Sequence, residues 1–195
     1  GQPDAAPAAL LALRDQIRPE AAAALQELNQ LGLQSIMRTG DNPRAAATIA
    51  RQAGIARVEA EVLPGDKAAI VTRLQGSGHG VAMVGDGIND APALAQADVG
   101  IAMGAGADVA IEAAGVTVVG GDLRKLPQLV TLARATLRTI RQNLFWAFFY
   151  NVILIPVAAV GVFQQYGPIL AAGAMAFSSL FVVSNSLRLK NVRLE

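Results

Sequence analysis

Asp86, Asn89 and Asp90 crowd one short run, residues 84–94, which reads Val-Gly-Asp-Gly-Ile-Asn-Asp-Ala-Pro-Ala-Leu. Carboxylates held this close repel each other unless a cation or a proton sits between them. Hard oxygen ligands favour Mg²⁺, which keeps some of its waters and bridges to substrate phosphate. The chemistry this spacing offers is therefore a Mg²⁺-phosphate site. A polar turn rich in Asp, Gly and Asn is the bland alternative.

Two other groups point the same way. Thr39-Gly40-Asp41-Asn42 combines a hydroxyl with backbone N–H groups that suit a phosphoryl oxygen. Pro64-Gly65-Asp66-Lys67 puts a cation at the start of a helix, where the helix dipole disfavours it unless it faces an anion. Each also reads as an ordinary turn or a solvated lysine. His79, between glycines, reads as a solvated loop residue, and Gly104-Ala105-Gly106 lacks the spacing of a dinucleotide loop.

The elements that must hold these residues alternate between strand and helix. Strands are expected at 9–13, 33–38, 80–84, 99–103 and 115–119. Helices are expected at 19–31, 43–53, 64–74, 91–97 and 107–113. Residues 81–84 have the apolar character of a buried strand, so the aspartate turn falls at a strand's carboxyl end, where open α/β sheets take their ligands. The alternation predicts an α/β unit, a parallel sheet flanked by helices.

The remainder of the chain changes character. Gly120-Gly121-Asp122 breaks the pattern, and residues 123–142 read as an amphipathic helix with Arg134, Arg138 and Arg141 on one face. That stripe suits water, or anionic headgroups beside a membrane. Residues 142–187, 46 in all, carry no Asp, Glu, Lys or Arg. One span needs about 20 apolar residues, so two are expected, at 144–163 and 169–187. Arg188, Lys190 and Arg193 follow, so positive charge flanks the outer ends and predicts both ends in the cytoplasm. A core hairpin in a soluble protein is the alternative. The expected division is 1–122, 123–142 and 143–195.

The 195-residue chain is 53% hydrophobic, with a net charge of +1 and no cysteine. The charge gives no argument for nucleic-acid binding, and no disulfide or thiolate site is available. The start, Gly1-Gln2-Pro3-Asp4, is polar and reads as a cut point rather than a signal peptide. Within the spans stand Asn143, Tyr150, Asn151, Pro156, Met175, Ser178, Ser179, Ser184 and Asn185. Met175 and Ser179, four apart, share a helix face. A thioether beside amide and hydroxyl oxygens suits a soft cation such as Cu⁺, and ordinary helix packing is the alternative.

Taken in order, Asp15…Arg18-Pro19-Glu20, Thr39-Gly40-Asp41-Asn42, Pro64…Lys67 and Gly85-Asp86-Gly87-Ile88-Asn89-Asp90-Ala91-Pro92 resemble the phosphorylation domain of P-type ATPases, in the haloacid-dehalogenase-like superfamily. The resemblance covers roughly residues 11–188. It implies a Rossmann-like parallel sheet followed by a two-helix transmembrane hairpin. It also implies roles. Asp86 binds Mg²⁺, while Asn89 and Asp90 position the phosphoryl group and the outer sphere of the metal. Thr39 and Gly40 hold phosphoryl oxygens, Asp41 lies near the nucleotide ATP, and Lys67 neutralises charge as phosphoryl transfer proceeds.

The family's nucleophilic Asp-Lys-Thr-Gly-Thr motif is absent from this sequence. A C-terminal fragment is therefore expected, inactive alone and lacking the central strand. Tyr150-Asn151 and Met175-Ala176-Phe177-Ser178-Ser179 resemble the last two membrane helices of the copper(I)-exporting subgroup, which implies that Tyr150, Asn151, Met175 and Ser179 line the transport site. Zinc and cadmium exporters place an Asp in the final helix, and none stands between Asp122 and Glu195. The resemblance implies a bacterial cytoplasmic membrane, the lipid bilayer, the upstream remainder of the pump and a copper chaperone as partners, and no nucleic acid. A membrane-anchored phosphatase needs a nucleophile that Asp4 and Asp15 do not supply in context. A non-enzymatic membrane module is the third reading.

Overall fold

A computed structural model of the chain describes residues 16–63, 65–86, 88–104, 108–160 and 166–192. The side chains at 88, 108–110, 158, 159, 168–172 and 174 are outside that description, as is the strand expected at 9–13. The chain divides into two compact units, 1–126 and 127–195.

In the first unit, helix α1 (Ala21–Gln30) leads to strand β1 (Ile36–Arg38), helix α2 (Pro43–Ala53) and strand β2 (Arg57–Glu59). Helix α3 (Asp66–Gly76) precedes strand β3 (Ala82–Gly85). A 3-10 turn at Ile88–Asp90 runs into helix α4 (Ala91–Gln96), then strand β4 (Val99–Met103), helix α5 (Asp108–Ala113) and strand β5 (Val116–Val118). The limits of α2 follow from its caps. The Asn42 side chain accepts from the Arg44 and Ala45 N–H groups, and Gly54 closes the helix in the left-handed conformation.

Among the described residues all strand pairs are parallel, as the alternation predicts. They form two sheets rather than one: β1 beside β2, and β3-β4-β5 with β4 central. The expected buried strand before the aspartate turn is corrected here. Strand β3 alternates between exposed and half-buried residues, with Val84 38% exposed, because among the described residues only β4 lies beside it. The core gathers on β4 instead, where Ile101, Ala102 and Met103 are buried against Ala93 and Leu94 of α4. That contact is tight: a Cβ on Gly100 would sit 2.4 Å from the Leu94 carbonyl oxygen.

Helix α6 (Lys125–Ala159) runs 35 residues without a break. The amphipathic helix and the first span expected as separate elements are thus one helix, since residues 142–144, Gln-Asn-Leu, contain no breaker. Helix α7 (Gly167–Leu187) ends in a 3-10 turn at Arg188–Asn191. Among the described residues no helix is long and apolar enough to cross a membrane. The part of the expected first span that lies in α6, residues 144–159, is 16 residues, about 24 Å against a hydrocarbon core of about 30 Å. Residues 161–165 lie outside the description.

Candidate active site at the aspartate turn

Strand β3 ends at Gly85, Asp86 follows it, and the 3-10 turn at Ile88–Asp90 carries Asn89 and Asp90. Glycine is needed at 85 because a Cβ there would stand 2.7 Å from the Asp90 Cβ and 2.8 Å from its Cγ. The absence of a side chain lets Asp90 fold back against the strand end, where it is 8% exposed. Pro92 follows in the first turn of α4, where a proline loses no helix hydrogen bond.

Asp90 meets Lys67. The Lys67 Nζ donates to Asp90 Oδ1 at 2.6 Å, with the side chains 21% and 11% exposed. The first turn of α3 therefore aims its cation at the aspartate turn, which answers the sequence's demand for an anion near Lys67. Asp86 differs from Asp90. It is exposed, and among the described residues no hydrogen bond or ion pair holds its carboxylate. The two carboxylates divide into one locked by a lysine and one free to take a cation. Asn89 is exposed beside them, and Gly87 and Pro64 are outside the described residues.

Thr39 and Asp41 form their own closed turn. The Thr39 hydroxyl donates to Asp41 Oδ2 at 2.6 Å, and the Asp41 N–H donates to Thr39 Oγ1 at 3.1 Å. The turn is held by the backbone that follows β2. Val62 N–H donates to the Thr39 carbonyl and Glu61 N–H to that of Asp41, with Glu61 at a left-handed φ of 55°. Arg38 joins this loop to α3 by donating from Nη1 to the Lys67 carbonyl at 3.2 Å. No hydrogen bond or ion pair among the described residues joins Thr39, Gly40 or Asp41 to Asp86 or Lys67.

Sequence reasoning missed strand β2 and with it Glu59. Glu59 Oε1 accepts from Arg57 and from Arg73, each at 3.1 Å, and Oε2 lies 3.5 Å from Arg38 Nε. Oε2 makes no hydrogen bond, so its pairing with Arg38 is purely ionic. Burial holds the Arg38 guanidinium below its ordinary pKa, with Glu59 opposing. A three-residue strand with charged ends carries no apolar pattern that could have revealed it.

In the second unit, Tyr150 and Asn151 stand on α6 and Met175 and Ser179 on α7. Asn151 donates to the Ala147 carbonyl of its own helix at 2.8 Å, and Met175 is 72% exposed. Among the described residues no hydrogen bond or ring contact joins the α6 pair to the α7 pair. The helices are tied elsewhere. Asn185, 7% exposed, donates to Asn143 Oδ1 at 2.8 Å and to Gln142 Oε1 at 3.3 Å, while Asn143 donates to Ser186 Oγ at 3.0 Å.

The sequence matches the haloacid dehalogenase-like hydrolases over residues 3–98. It is 52% identical over 186 residues to a copper-exporting P-type ATPase of Staphylococcus aureus, covering 95% of this chain and 23% of that protein. It is 53% identical over 191 residues to a silver-exporting P-type ATPase of Salmonella typhimurium, again covering 23% of it. The chain thus spans about a quarter of the length of these curated relatives. A crystal structure of a zinc-transporting PIB-type ATPase in the E2.Pi state aligns with a TM-score of 0.83 at 45% identity, over 90% of this chain and 28% of that one. The catalytic CPx-ATPase domain CopB-B aligns with a TM-score of 0.53 at 35% identity, over 58% of this chain and 45% of that domain. At this identity over 95–96% of its length, and with this structural match, the chain belongs to the heavy-metal P-type ATPase family, with a haloacid-dehalogenase-like α/β fold in its first unit.

Proposed function

We propose that the chain is the C-terminal part of an ATP-driven pump that exports Cu⁺ through an aspartyl-phosphate, with the nucleophilic aspartate supplied by the upstream remainder of the same protein. The observation that carries this reading is the Lys67–Asp90 pair set beside an unpaired Asp86 at a strand's carboxyl end. Strand β3 has one neighbour among the described residues, as do β1 and β2, which supports a sheet completed by further chain. Alone, this chain is expected not to turn over ATP.

The residues fit a Mg²⁺ ion. Among the described residues no group of three or more His, Cys, Asp or Glu gathers. Mg²⁺ needs only one or two carboxylates when waters and substrate phosphate complete its shell. Asp86 offers an unpaired carboxylate to hold it, and Asp90, fixed by Lys67, orients the ligands around it. When bound, the ion supplies positive charge to the phosphoryl oxygens. Lys67 supplies a second charge, and the Thr39 hydroxyl, held by Asp41, turns to a phosphoryl oxygen when one arrives.

For the second unit, we propose two membrane spans at 144–163 and 169–187 in a bacterial cytoplasmic membrane, with the first unit and the C-terminus in the cytoplasm. The uncharged run of 142–187 and the basic residues outside it support this. The lipid bilayer is then a partner, and a copper chaperone delivers the cargo. Tyr150, Asn151, Met175 and Ser179 line the path of the cation. Thioether and neutral oxygen donors favour a soft monovalent ion, and no Asp or Glu stands between Asp122 and Glu195 to favour a divalent one. The similarity to a silver exporter supports Ag⁺ as a second cargo of the same softness.

The test uses the full-length protein. Asp86→Asn abolishes phosphoenzyme formation from labelled ATP, and normal phosphorylation of that variant overturns the site. Met175→Leu retains phosphorylation by inorganic phosphate and loses Cu⁺-stimulated turnover. Stimulation by Zn²⁺ but not Cu⁺ in the parent overturns the cargo.

A further inference from the structure

We propose that the Arg134–Arg138–Arg141 face of α6, with Phe145 and Trp146 beside it, binds the phosphate headgroup of an anionic glycerophospholipid. The proposal rests on the membrane reading given above and adds a lipid site to it.

The first observation is a set of unpaired cations. Arg134, Arg138 and Arg141 recur at spacings of four and three, and all three are exposed. They line one open groove along α6 together with Phe145 and Trp146. The other arginines with pairs show the contrast: Arg38, Arg57 and Arg73 share Glu59, and Arg124 is held by Asp122. Among the described residues, no hydrogen bond or ion pair engages any of the three on α6. The sequence offers them none nearby, since no Asp or Glu lies between Asp122 and Glu195. Three guanidinium groups on about 10 Å of helix repel one another until an anion joins them. Their planar forks match phosphate oxygens in pairs.

The second observation decides what kind of phosphate. A second groove continues from the first and shares Arg141 and Phe145 with it. Its other walls are Leu144, Phe148, Phe149 and Val152, so it is apolar apart from the arginine at its mouth. A cationic groove opening into an apolar one suits an amphiphile, with the headgroup at Arg134–Arg141 and an acyl chain along Phe148 and Val152. A soluble anion would leave the second groove unfilled. Phe145 lines both grooves, and Trp146, with its ring centroid 5.5 Å from that of Phe145, lines the first and is of the type that settles at headgroup level.

Trp146 is the chain's single tryptophan, so its emission reports on this place alone. The 195-residue chain in a neutral detergent is titrated with brominated phosphatidylglycerol and, separately, with brominated phosphatidylcholine. Trp146 is expected to be quenched at lower concentrations of the anionic lipid. Replacing any one arginine with glutamine is expected to weaken that preference about fivefold, and Arg138→Lys to keep most of it. The three side chains are exposed, and raising the salt concentration on the unaltered chain gives the same answer without any substitution, because it shrinks the preference. Equal quenching by both lipids overturns the headgroup site and leaves the membrane reading standing. Quenching by neither overturns both. A preference erased by an equal concentration of inorganic phosphate overturns the lipid in favour of a soluble anion.

Discussion

The ammonium of Lys67 lies 2.6 Å from Asp90 Oδ1, although 23 positions separate the two residues. The contact links the first turn of α3 to the 3-10 turn after β3, and both side chains are largely shielded from water. A shielded ion pair is costly to break from one side, because the remaining charge stays buried without its partner. Lys67→Met and Asp90→Asn are each expected to destabilise the chain by about 1–3 kcal/mol. The double variant is expected to cost less than the sum, with a coupling of about 1–2 kcal/mol. Urea unfolding followed by circular dichroism checks this, and additive losses would show that the contact contributes nothing.

Gly85 is where the aspartate turn is most sensitive to a single carbon. A Cβ there would overlap Asp90 at 2.7 Å, and Asp90 is held from the other side by Lys67. Gly85→Ala is expected to cost about 1–3 kcal/mol, as overpacking does in a filled site. Gly76, at the end of α3, has nothing within 4 Å of its Cβ position. Gly76→Ala is therefore expected to be neutral or to stabilise by about 0.5 kcal/mol. Thermal unfolding of the two alanine variants side by side separates steric conflict from loss of glycine freedom. Equal midpoints for both variants refute the steric account.

The parts of this chain that were legible in its sequence are those with local causes. Helix α2 spans Pro43–Ala53 as expected, because Asn42 and Gly54 cap it. Strand β4 spans Val99–Met103 as expected, because it is central in its sheet and Gly100–Met103 are buried. What the sequence hid depends on partners far along the chain. Strand β3 resembles a buried strand in composition yet has one neighbour among the described residues. Strand β2 exists through its pairing with Ile36–Arg38, not through any pattern of its own. In the site, the three motifs could be read, and Lys67's need for an anion could be read from its place at a helix start. That the anion is Asp90 required the fold.

Asp98 sets a dependence on acidity. Its Oδ2 accepts the Val81 N–H at 2.8 Å, just before β3. That backbone hydrogen bond, with a second from the Gln75 side chain, holds the carboxyl below its ordinary pKa. A carboxyl whose folded pKa is depressed binds fewer protons when folded than when unfolded. Its stabilising contribution is complete above the unfolded value of about 3.9 and fades as pH falls through the folded value. Asp98→Asn has no such titration. The gap in urea midpoint between the parent and this variant is expected to be constant above about pH 5 and to close below about pH 4. A gap that widens with acid contradicts the assignment.

Asn185 joins α7 to α6 through amides rather than apolar packing. It is buried, and its Nδ2 donates to both Gln142 and Asn143, while Asn143 in turn reaches Ser186. Removing it leaves the half-buried Asn143 acceptor on α6 without its donor, so the loss exceeds that of the hydrogen bond alone. Between membrane helices such bonds are worth about 0.6–1.7 kcal/mol. Asn185→Ala is accordingly expected to destabilise the helix pair by about 1–2 kcal/mol. Asn185→Leu fills the volume yet leaves the same Asn143 acceptor bare, so it is expected to lose about as much. Hydrogen exchange of the last turns of α7 reads the effect directly: both variants are expected to open there first. If leucine restores protection where alanine does not, side-chain volume holds this end of the hairpin, and the amide network does not.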